Sequence, residues 1–220
     1  MIISTMNAHI LTIGSNLLIF PMLIWKSSIF LNIMDETIEV YGDLIADQAC
    51  ISEKKMIHDL EQKGFGEIEK GKLFLKSFET LYLLYTGKLS LKKNKKQIDF
   101  DNFMNICQKI NPEILTKFLI YRDLKTRGYV VKDGFGFGSD FRVYERGHYG
   151  EKGAKFLIFG LNEGQQEKMG ALQKKIDEIT QMGKEPIIAV IERRGEVIYY
   201  KFNKINFLEN KTNLDSSFEF

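Results

Sequence analysis

The stretch 121–144, YRDLKTRGYVVKDGFGFGSDFRVY, contains a change of periodicity that decides the fold. Up to Gly128 the pattern is helical, and we predict a helix over Pro112–Arg127 from the apolar residues Leu115, Phe118, Leu119 and Leu124. Gly128 is a typical residue to end a helix. Beyond it the pattern becomes that of short strands, which we predict at Tyr129–Lys132 and Asp140–Tyr144. The chain therefore changes from helix to sheet at Gly128.

The residues that follow this stretch continue the sheet. Three more strands are predicted, at Lys155–Leu161, Pro186–Glu192 and Glu196–Phe202. A helix over Gln165–Met182 lies between the first two, with an apolar stripe formed by Met169, Leu172, Ile176 and Ile179. Such a stripe is expected to face a sheet. Residues 112–207 are therefore predicted to form a mixed α/β domain with a central sheet, followed by a loose tail at 208–220.

The residues before the helix predict a smaller α+β unit at 34–111. Strand and turn material at Ile38–Cys50 is followed by two helices, for which Ser52 and Ser77 are the expected N-caps. A short strand at Lys88–Leu91 and a third helix at Asp99–Ile110 complete the unit. The fold class is therefore α+β, with a small N-terminal domain and a C-terminal α/β domain.

Residues 1–33 differ from the rest of the chain because Lys26 is their one charged residue. The apolar run Ile10–Trp25 is shorter than the roughly 20 residues that a membrane span needs, and no signal-peptide pattern is visible. We expect the working protein to begin near Met34, with residues 1–33 outside the fold. A membrane anchor is the alternative. We expect no membrane association and a cytoplasmic location.

The composition is that of a soluble globular protein, with 44% hydrophobic and 27% charged residues. The net charge is only +2, so any RNA-binding function needs positive charge that is gathered locally. Two separated cysteines and three histidines exclude a disulfide framework and a histidine-rich metal centre. We therefore expect neither a metal site nor a cofactor.

Two segments resemble the tRNA-splicing endonuclease family of the archaeal type. The first starts at Gly64-Phe65-Gly66 and continues with Leu73, Leu75, Ser77, Glu79, Tyr82, Leu83, Gly87 and Lys88. The second is the 121–144 stretch, supported by Ala189-Val190-Ile191, Gly195-Glu196-Val197 and Tyr199-Tyr200. The resemblance covers about Val40–Phe207. It implies a nuclease that cuts precursor tRNA at the bulge-helix-bulge structures of exon–intron junctions.

The resemblance also implies a metal-independent reaction in which the RNA 2′-hydroxyl attacks the neighbouring phosphate. The products carry a 2′,3′-cyclic phosphate and a 5′-hydroxyl. In the family a tyrosine, a histidine and a lysine act together in catalysis. Tyr144 and Lys184 occupy the positions that match the tyrosine and the lysine. Tyr144 is then the general base, and Lys184 stabilises the charged transition state. An ordinary tyrosine ionises only at about pH 10, so a base role requires a nearby cation.

The histidine of the family pattern is missing from its usual place directly before the strand at Lys155–Leu161. That place reads Gly153-Ala154, and the local histidine is His148, four residues after Tyr144. Two interpretations stay open. Either His148 enters the site as the general acid, or the chain is a non-catalytic structural subunit that works with a catalytic partner.

Two pairs of basic residues are candidates for RNA contact. Arg122 and Lys125 lie on the predicted helix before the strands and can face phosphate. Arg193 and Arg194 lie in the hairpin loop 192–196, which in the family is acidic and docks into a partner subunit. The two arginines make that docking uncertain and offer phosphate contacts instead. The expected partners are precursor tRNA and either further copies of this chain, as a dimer or tetramer, or a paralogous subunit.

Overall fold

The computed structural model of the chain describes residues 40–134, 138–162 and 169–201. The segment 1–33, the expected start near Met34 and the tail 208–220 lie outside the described residues. Within the described ranges, every helix is too short or too polar to span a membrane. The secondary structure over these ranges is mixed, as the α+β prediction requires.

The described residues form five helices and eleven strands. The helices are α1 (Lys54–Gln62), α2 (Ser77–Tyr85), α3 (Phe100–Ile110), α4 (Ile114–Thr126) and α5 (Met169–Gln181). The first six strands are β1 (Val40–Ile45), β2 (Gln48–Ile51), β3 (Glu67–Glu69), β4 (Lys72–Leu75), β5 (Leu89–Lys93) and β6 (Lys96–Ile98). The remaining five are β7 (Val130–Asp133), β8 (Phe141–Tyr144), β9 (Phe156–Asn162), β10 (Glu185–Ile191) and β11 (Val197–Lys201).

The helix starts differ in detail from the predicted caps. The carboxylate of Asp99 does cap α3, accepting from the backbone N–H of Asn102 at 2.8 Å. The Ser52 cap was wrong, because Glu53 occupies the N-cap position of α1 without a side-chain hydrogen bond. Ser77 is already helical, and its hydroxyl donates to the Asp47 carboxylate instead. A serine hydroxyl can bond a nearby carboxylate as readily as its own helix.

The first sheet has the strand order β3-β4-β2-β1-β5-β6, with β1 and β5 parallel and the other pairs antiparallel. Sequence analysis missed the β3–β4 hairpin and β6, because these strands are short and carry many charged residues. Positive φ angles at Lys70 (49°) and Gly71 (78°) form the tight turn between β3 and β4. Asn94 (50°) and Lys95 (66°) do the same between β5 and β6.

The second sheet has the order β11-β10-β9-β8-β7. Strands β9 and β10 are parallel and are connected through α5, while the other neighbours are antiparallel. All five predicted strands are present, and α5 lies within the predicted range. Ile179 of α5 is fully buried and forms a small cluster with Leu157 and Phe159 of β9. Ile179, the last residue of the predicted apolar stripe, therefore does face the sheet.

Helix α4 connects the two sheets through a shared hydrophobic core. Tyr121 of α4 is fully buried, and its ring centroid lies 4.9 Å from Phe78 of α2 and 6.2 Å from Phe141 of β8. Phe78 and Phe141 also meet edge to face at 5.1 Å. Aromatic pairs in this arrangement contribute about 0.5–1.5 kcal/mol beyond the area that they bury. The residues that face α4 from both sheets therefore form one core.

Helix α4 packs closely on the second sheet at Gly160 of β9. A Cβ atom at Gly160 would lie 2.7 Å from Cδ1 of Ile120 and 3.2 Å from Cγ2 of Thr116. The Gly160 N–H also donates to the Asp140 carboxylate at 2.8 Å. A glycine at this position allows the helix to pack directly on the strand.

We predict that Gly160→Ala lowers the free energy of unfolding by about 1–3 kcal/mol, because the added methyl group overpacks the interface with α4. The matched control is Gly170→Ala in α5, where a Cβ atom meets nothing within 4 Å. That change should raise stability by roughly 0.5–1 kcal/mol through helix propensity. Urea unfolding of the three proteins measures both values. Equal effects of the two substitutions would contradict the close packing at Gly160.

Candidate active site

Three segments of the second sheet meet where β8 ends and β9 and β10 begin, and this end of the strands is the Tyr144 edge of the sheet. Strand β8 ends at this edge, and β9, which is antiparallel to β8, begins there. Strand β10 is parallel to β9 and so also begins there. The N–H of Lys155 donates to the Val143 carbonyl at 3.0 Å, and the N–H of Glu185 donates to the Lys155 carbonyl at 2.9 Å. These bonds place Tyr144 and Lys184 at the same edge, about 10 Å apart, or two strand spacings.

Tyr144 is the last residue of β8 and is half-buried. Its ring meets the ring of Tyr149 edge to face, with a centroid distance of 5.0 Å and an interplanar angle of 89°. The contact joins the end of the strand to the loop that follows it. The Tyr144 ring is therefore held from the loop side by a second aromatic ring.

Lys184 lies between the end of α5 and the start of β10. Gly183, with a φ of 68°, lets the chain turn, and the Lys184 N–H donates to the Ile179 carbonyl at 3.2 Å. A Cβ atom at Gly153 would lie 3.3 Å from Nζ of Lys184. The ammonium group of Lys184 therefore lies directly beside the position at which the family pattern has its histidine.

His148 lies in a turn between Tyr144 and Gly153. Its N–H donates to the Glu145 carbonyl at 3.1 Å, and its own carbonyl accepts from the Lys152 N–H at 3.0 Å. The imidazole ring is flanked by the same two residues. Nδ1 lies 3.7 Å from the Glu145 carboxylate, and Nε2 lies 3.5 Å from Nζ of Lys152. The structure thus brings His148 into the Tyr144 loop, between a carboxylate and an ammonium group.

A chain of ion pairs supports this edge of the sheet. Glu145 bonds Lys155, Lys155 lies 3.8 Å from Glu185, and Glu185 pairs with Lys201 of β11 at 2.7 Å. The hydrogen bond from Lys155 lowers the pKa of Glu145, and His148 and Lys152 add to the effect. This series of ion pairs joins the His148 turn to the starts of β9 and β10. Sequence analysis did not single out these residues, because ion pairs between strands leave no local pattern.

Arg193 and Arg194 do not lie at this edge. They are exposed in the turn between β10 and β11, which follows the far end of β10. Because β10 has seven residues, the turn lies roughly 20 Å along the sheet from Lys184. Any RNA contact of these arginines is therefore separate from the Tyr144 edge of the same chain.

Arg122 and Lys125 of α4 face residues 40–111, the part of the chain that carries the first sheet and is named the first unit. The Arg122 guanidinium lies 5.6 Å from the Tyr85 ring centroid. Nζ of Lys125 lies 4.0 Å from the Phe65 ring centroid and donates to the Lys63 carbonyl at 3.2 Å. Burial lowers the pKa of Lys125 to about 8, against the opposing attraction of Glu79. Both side chains have internal contacts that sequence analysis did not foresee.

Sequence analysis also missed Tyr149, which contacts Tyr144. An aromatic residue in a polar loop is a weak signal, although it indicates that the loop packs on something. In the described ranges, no three His, Cys, Asp or Glu side chains come together as metal ligands.

Comparisons with known families agree with the two-sheet architecture. Residues 40–104 match the family described as tRNA intron endonuclease, N-terminal domain. Residues 114–199 match the tRNA intron endonuclease, catalytic C-terminal domain. The second match includes Tyr144, His148 and Lys184. The two family matches therefore place the chain among RNA-processing endonucleases.

Curated proteins with the name tRNA-splicing endonuclease are similar over most of the chain. The protein of Thermococcus onnurineus is 32% identical over 175 residues, which are 79% of this chain and 100% of the relative. That of Methanococcus maripaludis is 33% identical over 155 residues, 70% of this chain and 88% of the relative. That of Pyrococcus horikoshii is 30% identical over 175 residues, with shares of 79% and 100%. This chain belongs to the tRNA intron endonuclease family.

The shifted pKa of Lys125 predicts a pH dependence of stability. The folded-state pKa, about 8, lies below the usual 10.5, so the unfolded chain binds this proton more tightly. The contribution of Lys125 to stability therefore rises as the pH increases from 8 towards 10.5. The Lys125→Met variant lacks this pH-dependent contribution to the free energy of unfolding, which is at most about 3 kcal/mol. We expect the stability of wild type relative to Lys125→Met to increase over that range. Parallel pH curves from thermal unfolding would contradict the burial of this charge.

Proposed function

We propose that this chain cuts precursor tRNA at bulge-helix-bulge exon–intron junctions, leaving 2′,3′-cyclic phosphate and 5′-hydroxyl ends. The observation that carries the proposal is the meeting of Tyr144, Lys184 and the His148 turn at one edge of the second sheet. Family membership supports the substrate class, since the three curated relatives described above have the name tRNA-splicing endonuclease. The reaction needs no metal ion in this proposal.

Each group at the edge has a chemical task in such a cleavage. Tyr144 takes the proton of the attacking 2′-hydroxyl. Lys184 stabilises the negative charge that builds up on the phosphate. His148 gives a proton to the leaving 5′-oxygen. The Glu145 carboxylate lies 3.7 Å from Nδ1, and the Nε2 atom that would donate the proton lies beside the Lys152 ammonium.

A second candidate function is a structural subunit that supports a catalytic partner. The observation that favours it is Gly153, where the family pattern places its histidine and this chain has no side chain. The Lys184 ammonium lies beside that position, 3.3 Å from where a Cβ atom would be. In this alternative the chain binds RNA but lacks the proton donor.

RNA contacts at Arg122, Lys125, Arg193 and Arg194 remain part of the proposal. Arg193 and Arg194 are the stronger pair, because both are exposed. Their distance from the Tyr144 edge places any such contact on a different part of the RNA from the cut phosphate. Lys125 is the weaker candidate, since its ammonium already bonds the Lys63 carbonyl.

We predict that Tyr144→Phe, Lys184→Ala and His148→Ala each slow cleavage of a bulge-helix-bulge RNA by about 10²- to 10⁴-fold. RNA affinity should change little, because each group acts in the transition state. Single-turnover cleavage by the full chain measures the rate, and filter binding measures the affinity. The matched control is His58→Ala, because His58 is exposed on α1 and its ring bonds Gln62 of the same helix.

Cleavage should also survive EDTA once the RNA is folded.

The outcomes separate the two candidate functions. An unchanged rate in His148→Ala, with losses in the other two variants, would remove His148 from the mechanism. Wild-type protein that cuts only after a paralogous subunit is added would establish the structural role. Activity that is lost in EDTA and restored by one particular metal ion would contradict a metal-free reaction.

We also propose that β11 is an interface between copies of this chain. It is an edge strand of its sheet, and Ile198 and Tyr200 are 37% and 50% exposed. Edge strands of this kind tend to pair with another strand. The occupant that the observations favour is a second copy, since two identical edges can pair across a two-fold axis.

We predict that the wild-type chain sediments as a dimer or larger assembly at micromolar concentration, and that Ile198→Lys shifts it towards the monomer. A lysine on an edge strand disfavours pairing. The matched control is Ile110→Lys, the same change at a 60% exposed residue that ends α3. Analytical ultracentrifugation measures the result. A stable wild-type monomer would contradict this interface.

A further inference from the structure

Tyr149 lies between Tyr144 and the first unit of the chain. One side of its ring meets Tyr144, with a centroid distance of 5.0 Å. Another side lies on the turn at Gly64, where a Cβ atom would come within 3.4 Å of the Tyr149 ring. Tyr149 is thus the side chain through which that turn reaches Tyr144.

The Gly64 turn can approach this closely because it has no side chain at that point. Gly64 has a φ of 75°, in the left-handed region that favours glycine. A Cβ atom there would lie 2.3 Å from Cγ1 of Val130 as well as touching Tyr149. Val130 is paired directly with Tyr144 in the sheet. The turn therefore lies on the strand beside Tyr144 and on the ring that contacts it.

Buried charged groups hold the same turn in place. The Gly66 N–H donates to the Glu79 carboxylate at 3.0 Å, and Nζ of Lys132 donates to the Gly66 carbonyl at 2.6 Å. Glu79 and Lys132 are 1% and 8% exposed. Nζ of Lys132 also lies 5.9 Å from the centroid of the Tyr149 ring. The turn is fixed from α2 on one side and from β7 on the other.

The hydroxyl of Tyr149 has no obvious acid–base task. Burial raises the pKa of Tyr149, and the neighbouring Tyr144 raises it further. The group therefore stays protonated at neutral pH. What Tyr149 offers to Tyr144 is its ring, as a fixed packing surface.

We propose that Tyr149 is a positioning residue that holds Tyr144 in its working rotamer, with the Gly64–Gly66 turn of the first unit as the support. This inference rests on the proposed function of Tyr144 as general base. A side chain at a strand end has several staggered rotamers available. The Tyr149 ring limits the positions of the Tyr144 ring, and a shift of about 1 Å in such a group can cost on the order of 10²-fold in rate.

The first arm of the test observes the Tyr144 ring without any cleavage. The full chain is labelled with 3-fluorotyrosine at its nine tyrosines, and Tyr144→Phe identifies the Tyr144 signal in the ¹⁹F NMR spectrum. We expect Tyr149→Leu to shift or broaden that signal, because the neighbouring ring is removed. Tyr149→Phe, which keeps the ring, should leave the signal nearly in place. A Tyr144 signal that is unchanged in Tyr149→Leu would overturn the inference.

The second arm measures single-turnover cleavage in a double-mutant cycle. Tyr149→Leu should slow cleavage by about 10- to 100-fold with RNA affinity retained, and Tyr149→Phe should restore most of the rate. In a Tyr144→Phe background, Tyr149→Leu should cost little more, because its effect acts through Tyr144. A role in overall stability would instead lower the rate equally in both backgrounds, and that result would overturn the inference.

Two further outcomes have separate meanings. If Tyr149→Phe is as slow as Tyr144→Phe, the Tyr149 hydroxyl acts in the chemistry, and the positioning role is wrong. If Tyr144→Phe cleaves at the wild-type rate while the ¹⁹F signal still responds to Tyr149→Leu, the contact is real and the base role of Tyr144 has failed. The two arms thus distinguish failure of this inference from failure of the proposed function.

Discussion

The burial of α4 between α2 and the second sheet is the constraint on which the rest of the structure depends. Tyr121 cannot be fully buried unless α2 covers one side of it and β8 the other. A buried aromatic ring of this size removes a large apolar area from water, and its loss would cost about 3–5 kcal/mol. Because Phe78, Tyr121 and Phe141 pack together, the first unit has one position relative to β8. The Gly64–Gly66 turn consequently lies beside the loop that follows Tyr144.

Burying the charges of Glu79 and Lys132 costs free energy, and their arrangement shows that they fix the position of a turn. Burial raises the pKa of Glu79 and lowers that of Lys132, while their mutual attraction opposes both shifts. An apolar pair would often be at least as stable. Glu79 and Lys132, however, bond the N–H and the carbonyl of the same glycine, Gly66. They define the position of one turn, which hydrophobic packing alone does not do.

Much of the fold was predictable because its periodic elements are long enough to show a pattern. The change at Gly128, the helix at 114–126 and the five strands of the second sheet all follow from local residue spacing. The hairpin at Glu67–Leu75 did not show, because strands of three and four residues are too short for a clear apolar period. The Ser52 cap was wrong because Glu53, one residue later, occupies the N-cap position, and residue type alone does not fix a helix end to one residue.

The sequence by itself determined the order of the elements, the family resemblance and the candidate residues Tyr144, His148 and Lys184, since each depends on residue type and spacing. The tertiary structure alone decided which of them meet. Strand direction brings the end of β8 and the starts of β9 and β10 to one edge, and it sends Arg193 to the other. The contact between Tyr149 and Tyr144 joins residues five apart, and the same Tyr149 ring lies beside Gly64, a residue from a distant part of the chain. Packing between distant segments leaves no local pattern, so only the folded chain could reveal it.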